Sequence, residues 1–353
     1  MRQYNTNNGI IIQYTDEIWM AFLPCLVKVD GGSTSRVQLD FADDDGKTMS
    51  YSVDAFGASS TIDYREFVQA YFDGIVDADM DYTQEVQYSR LGKELTIAVS
   101  VYSESGTLMA SMKFSTFFAW GSLRLGETWN GSKKLTWFKN YPFSFDLYVS
   151  LASKLMIGHN ATPKTLLEVS GGRIVRIGSS ALPSKARYST VYLFDGTIEQ
   201  ATFDGTFDLT FAKVTGTQKE LLCIDIRDED KGTYLRWIDR HGFVRYWLFT
   251  EGDESRTISS DGEFMRDNLL EYPSGRRQSY QREDEVALCA PLVDSETFDF
   301  LQDVASSPYV ERYLGGDVWE PVTIKAGTYT KSTAPLQDFV CNMVLNNTNI
   351  QSL

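Results

Sequence analysis

The chain has 353 residues, with 33 Lys+Arg against 48 Asp+Glu and a net charge of −15. Hydrophobic residues make up 42%, aromatics 13% and charged residues 23%, a composition that can bury cores and is not that of a disordered chain. The length exceeds what one core usually holds, so two or three domains are expected. The acidity excludes a sequence-independent nucleic-acid binder, which needs clustered cations to neutralise phosphates.

Short runs rich in Val, Ile, Tyr, Phe and Trp recur between Gly, Asp, Asn and Ser clusters. This is the pattern of antiparallel β-sandwiches or barrels, so the fold class is all-β with two short helices. The first domain, residues 1–135, is expected to carry strands over Gly9–Tyr14, Ala21–Val29, Arg36–Phe41, Thr48–Ala55, Thr83–Tyr88, Glu94–Tyr102 and Leu108–Phe118. Between them TIDYREFVQAYF places Ile62, Phe67, Val68 and Tyr71 near helical spacing, which predicts a helix covering one end of the sheet. GETWNGSKK and the aromatic segment after it read as a crossover near Thr128–Pro142.

The second domain, residues 136–353, is expected to carry strands over Thr165–Ile177, Thr190–Phe194, Thr206–Val214 and Glu220–Arg227. Thr233–Ile238 and Phe243–Phe249 flank DRHG and form a hairpin whose Arg236 and Arg245 make one face polar and half exposed. The polar run Arg276–Glu285 reads as a solvated loop, with a sub-boundary near 275–290. In SETFDFLQDVASS, Ser295 is a candidate N-cap, with Phe298, Leu301, Val304 and Ala305 on one helical face. Strands over Tyr309–Tyr313, Trp319–Ile324 and Asp338–Leu345 complete the chain. No repeat of fixed period is present, which argues against propellers and solenoids.

The chemistry-bearing residues are few. His159 and His241 are the two histidines and fall in different parts of the fold, so neither a histidine triad nor a multi-histidine metal site is expected. His241 reads as a turn residue. DFADDDG at Asp40–Gly46 and DADMD at Asp77–Asp81 are acidic enough to suggest calcium, yet neither has the spacing of a calcium loop, and both read as solvated turns. The many acids single out no pair for glycoside hydrolysis, and VSGGRIVRIGSS lacks a phosphate-binding frame. Cys25, Cys223, Cys289 and Cys341 are far apart, and the first three lie in apolar runs, so buried free thiols are expected. Neither a catalytic residue, a cofactor site nor a metal site is assigned.

The N-terminus has no long apolar stretch, which predicts synthesis in the cytoplasm and no membrane insertion. Without a secretion signal, the glycosylation-type matches at Asn130, Asn160 and Asn346 carry little weight. Trp120, Trp129, Trp137, Trp237, Trp247 and Trp319 could serve as sugar-stacking platforms or pack in cores and interfaces. Trp237, Arg245, Tyr246 and Trp247 on one hairpin, with Trp319, have the composition of a subunit interface and are the candidate interface residues.

Three stretches, WMAFLPCLVKV, GTYLRWIDRHGFVRYWLFTEG and SSPYVERYLGGDVWEPVTIKAGTYT with LQDFVCNMVL after it, resemble β-rich tail or baseplate proteins of phages and prophages of gut bacteria. Within that group the chain is most similar to distal-tail adaptors, although the N-terminal belt motif of those adaptors is not recognisable here. The resemblance implies a non-enzymatic virion protein that forms rings with its own copies and contacts other tail or baseplate proteins. The alternative is a carbohydrate-binding adhesin sandwich with a glycan partner. Between Asp40 and Glu85 twelve acids face only Lys47 and Arg65, a net of −10. Like subunits of a ring would repel through this region, so it is expected to face solvent, a lumen or a basic partner.

Overall fold

The computed structural model describes residues 1–32, 34–55, 57–74, 81–125, 134–159, 162–182, 187–200, 212–260, 262–266, 274–277 and 279–352. The chain is an all-β protein of several sheets, with two α-helices among the described residues. Its first ten strands are β1 (Arg2–Asn5), β2 (Ile11–Tyr14), β3 (Ile18–Met20), β4 (Leu26–Asp30), β5 (Thr34–Asp43), β6 (Thr48–Asp54), β7 (Ser59–Asp63), β8 (Val86–Tyr88), β9 (Gly92–Ser103) and β10 (Leu108–Ala119). Two sheets, β1-β2-β4-β7 and β3-β10-β9-β5-β6, face each other across one core.

That core follows from period-two patterning. Val27 and Val29 of β4, Val37, Leu39 and Phe41 of β5, and Leu95, Ile97, Val99 and Val101 of β9 are all buried, alternating with more exposed neighbours. Burying each such side chain contributes roughly 1.5–3 kcal/mol. Helix α1 (Arg65–Ala70) is the expected one, and it is anchored by Phe67, whose ring stacks on Phe41 at 5.5 Å between centroids. β1, β3 and β7 lay outside the expected strands. β3 is only three residues long and pairs in parallel with β10, so its sequence carries no alternation to read.

The remaining strands are β11 (Lys134–Phe138), β12 (Ser144–Val149), β13 (Ser153–His159), β14 (Thr162–Val169), β15 (Arg173–Gly178), β16 (Tyr188–Gln200), β17 (Ala212–Arg227), β18 (Thr233–Ile238), β19 (Val244–Ser260), β20 (Glu263–Arg266), β21 (Ser274–Arg277), β22 (Ser279–Val293), β23 (Val310–Gly315), β24 (Val318–Pro321), β25 (Thr323–Ile324) and β26 (Gln337–Ser352). They form the sheets β11-β17-β16-β13-β14, β12-β15-β8 and β24-β23-β18-β19-β22-β26-β25, with β20-β21 as a separate pair. The expected Thr165–Ile177 strand is two strands in different sheets, broken at Gly171–Gly172. At Gly171 a Cβ would lie 2.3 Å from the Leu151 backbone, so the turn needs glycine for close approach.

The two parts are stitched together. β8 belongs by sequence to the first part yet pairs with β15, and Leu91 packs in the core otherwise built from residues 135–343. Met20, Phe117 and Ala119 of the sandwich pack with Ile174 and Phe243 of the second part, forming a small junction core. The crossover region contains β11, which runs parallel to β17 with Lys134 opposite Cys223. Residues 126–133, including Trp129, lie outside the described residues.

Two corrections concern the C-terminal part. The run Arg276–Glu285, expected as a solvated loop, lies largely in β22, which pairs with β26 from Ser279 to Val293 and with β19 over Tyr280–Cys289. Its polarity misled because Tyr280–Asp284 are uniformly half-buried and Glu285 is buried against Lys325, so the stretch has no alternation of apolar and polar positions. Helix α2 (Ser295–Ser306) buries Phe298, Leu301 and Val304 as expected, but its N-cap is Asp294 rather than Ser295. The Asp294 carboxylate accepts from the Thr297 N–H at 2.7 Å. Asp294→Ala is expected to lower unfolding stability by about 1 kcal/mol, measured as a shift in the urea midpoint at unchanged slope.

Candidate functional site

The candidate interface residues of the β18–β19 hairpin are inside the protein. Trp237 is fully buried, and Arg245, Tyr246 and Trp247 are buried with it, so the half-exposed face expected from the alternation does not exist. Trp319, on β24, is half-buried. Both faces of the hairpin are covered. Trp237 and Trp247 meet Phe300 of α2 at 5.3 and 6.3 Å. On the opposite face Tyr234 and Tyr246 join Tyr82 and Trp319 in an aromatic cluster. Arg236 lies over the Trp319 ring at 4.3 Å, pairs with Glu311 of β23 and donates to the Tyr82 hydroxyl at 2.9 Å. Its carboxylate partner is distant in sequence, so local patterning reads an exposed arginine where the fold holds a neutralised one.

The DRHG turn reverses the hairpin as expected. It is also one of the contacts between the two parts. The N–H groups of Ser122 and Leu123, at the end of the sandwich, donate to the Arg240 carbonyl at 2.7 and 2.8 Å. A Cβ on Gly121 would meet that carbonyl oxygen at 2.3 Å, so glycine is what allows the approach. Asp239 is the hub of the turn. Its Oδ1 accepts the N–H groups of His241 and Phe243 at 2.8 and 3.0 Å, and its Oδ2 meets Arg245 Nε at 2.7 Å and His241 Nδ1 at 3.2 Å. Burial by itself raises this carboxyl's pKa, but Arg245, His241 and the turn N–H groups outweigh it and hold Asp239 far below the usual carboxylate range. His241 is buried and stacks on Phe243, so it braces the turn. A second buried pair, Arg176 on Asp146 at 2.7 Å, lies nearby, and Asp146 also accepts the Val244 N–H at 2.8 Å.

The other residues singled out in the sequence disperse. His159 ends β13, and its side chain lies outside the described residues. Asp43 and Asp45 are drawn to Lys93, and Asp43 also accepts the Lys47 N–H at 2.8 Å, which closes the DDDG turn. Of DADMD only Asp81 is described, and it accepts from Thr83 and Gln84. Among the described residues no group of three or more His, Cys, Asp or Glu side chains is placed to hold a metal ion. All four cysteines are free, but only Cys25 and Cys341 are buried, while Cys223 and Cys289 are half-buried. Burial pushes the Cys341 thiol up to about 12. Among the described residues no helix is long and apolar enough to cross a membrane.

The feature that sequence reasoning missed is a projecting ribbon. β19, β22 and β26 run together from the edge of the core, at the row Glu254, Val286 and Met343, out to the row Ser260, Tyr280 and Gln351, a distance of about 20 Å at strand spacing. Residues 250–259 of β19 are exposed one after another, so both faces of this strand meet solvent. Arg282 and Asp284 pair on β22 at 2.6 Å, and Lys325 bridges Glu283 and Glu285 beside the ribbon's base. The only sequence signal was the polar run itself, which a loop shares.

No protein-family model matches the chain, and no curated protein matches it significantly.

Proposed function

We propose that this chain is a non-enzymatic structural protein of a phage or prophage tail or baseplate, assembling through its β-rich parts into a ring or adaptor with copies of itself and other tail proteins. The observation that carries this reading is the ribbon of β19, β22 and β26. Antiparallel ribbons need an apolar face or a partner to be stable, and beyond Val286 and Met343, among the described residues, this one has residues 255–259 exposed on β19 and only half-buried residues over Tyr280–Asp284 of β22. A partner that packs on it resolves the conflict. The rigid stitching of the two parts through Gly121 and the DRHG turn suits a load-bearing element. The sequence resemblance to distal-tail adaptors points the same way.

The glycan-binding alternative needs a ring presented to solvent as a sugar platform. Each described tryptophan is buried or half-buried, which weakens its motivation. The assembly reading is tested by native mass spectrometry and negative-stain electron microscopy of the full chain. A discrete closed oligomer is expected, and a strict monomer at high concentration with no affinity for tail components would overturn it.

A further inference from the structure

The ribbon ends in two open edges of different chemistry. β18 pairs with β19 over Val244–Phe249, so among the described residues Thr250–Ser260 has a strand neighbour on one side alone. β25 pairs with β26 at Met343 and Val344, and among the described residues no strand pairs with the other edge of β26 from Leu345 to Ser352. Open edges are templates for strand addition, and proteins that stay monomeric guard them with Lys, Pro or inward charges. Neither edge has a Lys or Pro. The stretch Glu254–Ser260 is free of bulges, whereas β26 shifts register at Leu345 and at Ile350 and pairs regularly over Asn346–Asn349 between them.

The charges lie on one edge. Glu251, Asp253, Glu254 and Arg256 give the β19 edge a net of −2, whereas Leu345–Ser352 reads LNNTNIQS and has no ionisable side chain. Joining two β19 edges brings two acidic strands together, and like charges across a ladder are destabilising. Joining a β19 edge to a β26 edge opposes no like charges and satisfies both backbones. It also leaves one edge of each ribbon free for the next copy, which is the head-to-tail geometry that closes into rings.

We infer that the partner of the ribbon is a second copy of this chain, with the β19 edge of one copy (Thr250–Ser260) adding to the β26 edge of the next (Leu345–Ser352). The inference rests on the assembly reading and specifies its contact. Adjacent edge residues alternate in where the N–H points. One of Thr257→Pro and Ile258→Pro therefore removes an outward donor from the β19 edge, and one of Asn347→Pro and Thr348→Pro does so on the β26 edge. Ser259→Lys and Asn349→Lys provide edge guards that keep every backbone donor, and circular dichroism with the urea midpoint verifies that each variant folds.

Native mass spectrometry of the full-length variants is expected to show loss of the wild-type oligomer for a variant of either edge. Mixing a β19-edge variant with a β26-edge variant is expected to give a 1:1 pair, since one good edge remains on each. Folded variants of both edges that assemble like wild type would overturn the edge contact and leave the assembly reading standing. Dimers of the β26-edge variant alone, with no pair on mixing, would replace it by β19–β19 pairing. A wild-type chain that is monomeric throughout would overturn both.

Discussion

Asp239→Ala is expected to lower the unfolding free energy by about 3–5 kcal/mol, the range for removing one partner of a buried ion pair. The change leaves the Arg245 guanidinium buried beside His241 with no carboxylate, and strips the acceptor from two backbone N–H groups of the DRHG turn. Because that turn holds Ser122 and Leu123, the loss should extend to the junction of the two parts. The pH dependence has a definite sign. Asp239 is held far below the usual carboxylate range when folded, because the favourable charges and donors outweigh the burial that raises it. Its contribution is therefore complete above the unfolded value of ~4 and is lost as pH falls below that toward the folded value. Urea midpoints measured from pH ~7 down to pH ~2 should fall for wild type and fall less steeply for Asp239→Ala. Parallel acid limbs in the two proteins would show that Asp239 does not carry this dependence.

Trp237→Ala is expected to cost about 3–5 kcal/mol, as for other fully buried tryptophans truncated to alanine. The indole sits between the hairpin and Phe300 of α2, and nothing nearby can collapse to fill its volume without moving that helix. Trp237→Phe should cost far less, within about 1.5 kcal/mol, because most of the apolar contact survives. The Trp237 Nε1–H has no acceptor among the described residues, so phenylalanine gives up no hydrogen bond there. Chemical denaturation measures both variants. If Trp237→Ala kept wild-type stability and lost only the ability to assemble, the residue would belong to a subunit interface, as its composition with Arg245 and Tyr246 first suggested.

That contrast marks where the sequence was legible. Alternation predicted the sandwich strands because each had one face toward a core and one toward water, as β9 does with Leu95, Ile97, Val99 and Val101. The same rule failed at β18 and β19. There both faces are covered, and the polar residues that suggested exposure, Arg236 and Arg245, are neutralised by Glu311 and Asp239. It failed in a different way at β22, where Tyr280 to Asp284 are all half-buried, so neither hydropathy nor exposure alternates and a strand reads as a loop. Period-two patterning reports an asymmetry of environment, and a strand with two like faces does not have one.

The site was less legible than the fold. The aromatic and arginine composition of the hairpin is shared by interfaces and by cores that bury ion pairs, so composition could not separate them. The ribbon's signal was a polar run, and the backbone pairing that makes it a strand joins residues 254–260, 280–286 and 343–351, which are far apart along the chain.

By itself the sequence determined the all-β class, both helices and the hairpin around DRHG, because these depend on residue propensity, short-range periodicity and turn chemistry. Only the tertiary structure decided which charges are buried, which strands leave the core and which edges stay open. Those properties depend on partners brought together from distant positions, and local pattern has no access to them.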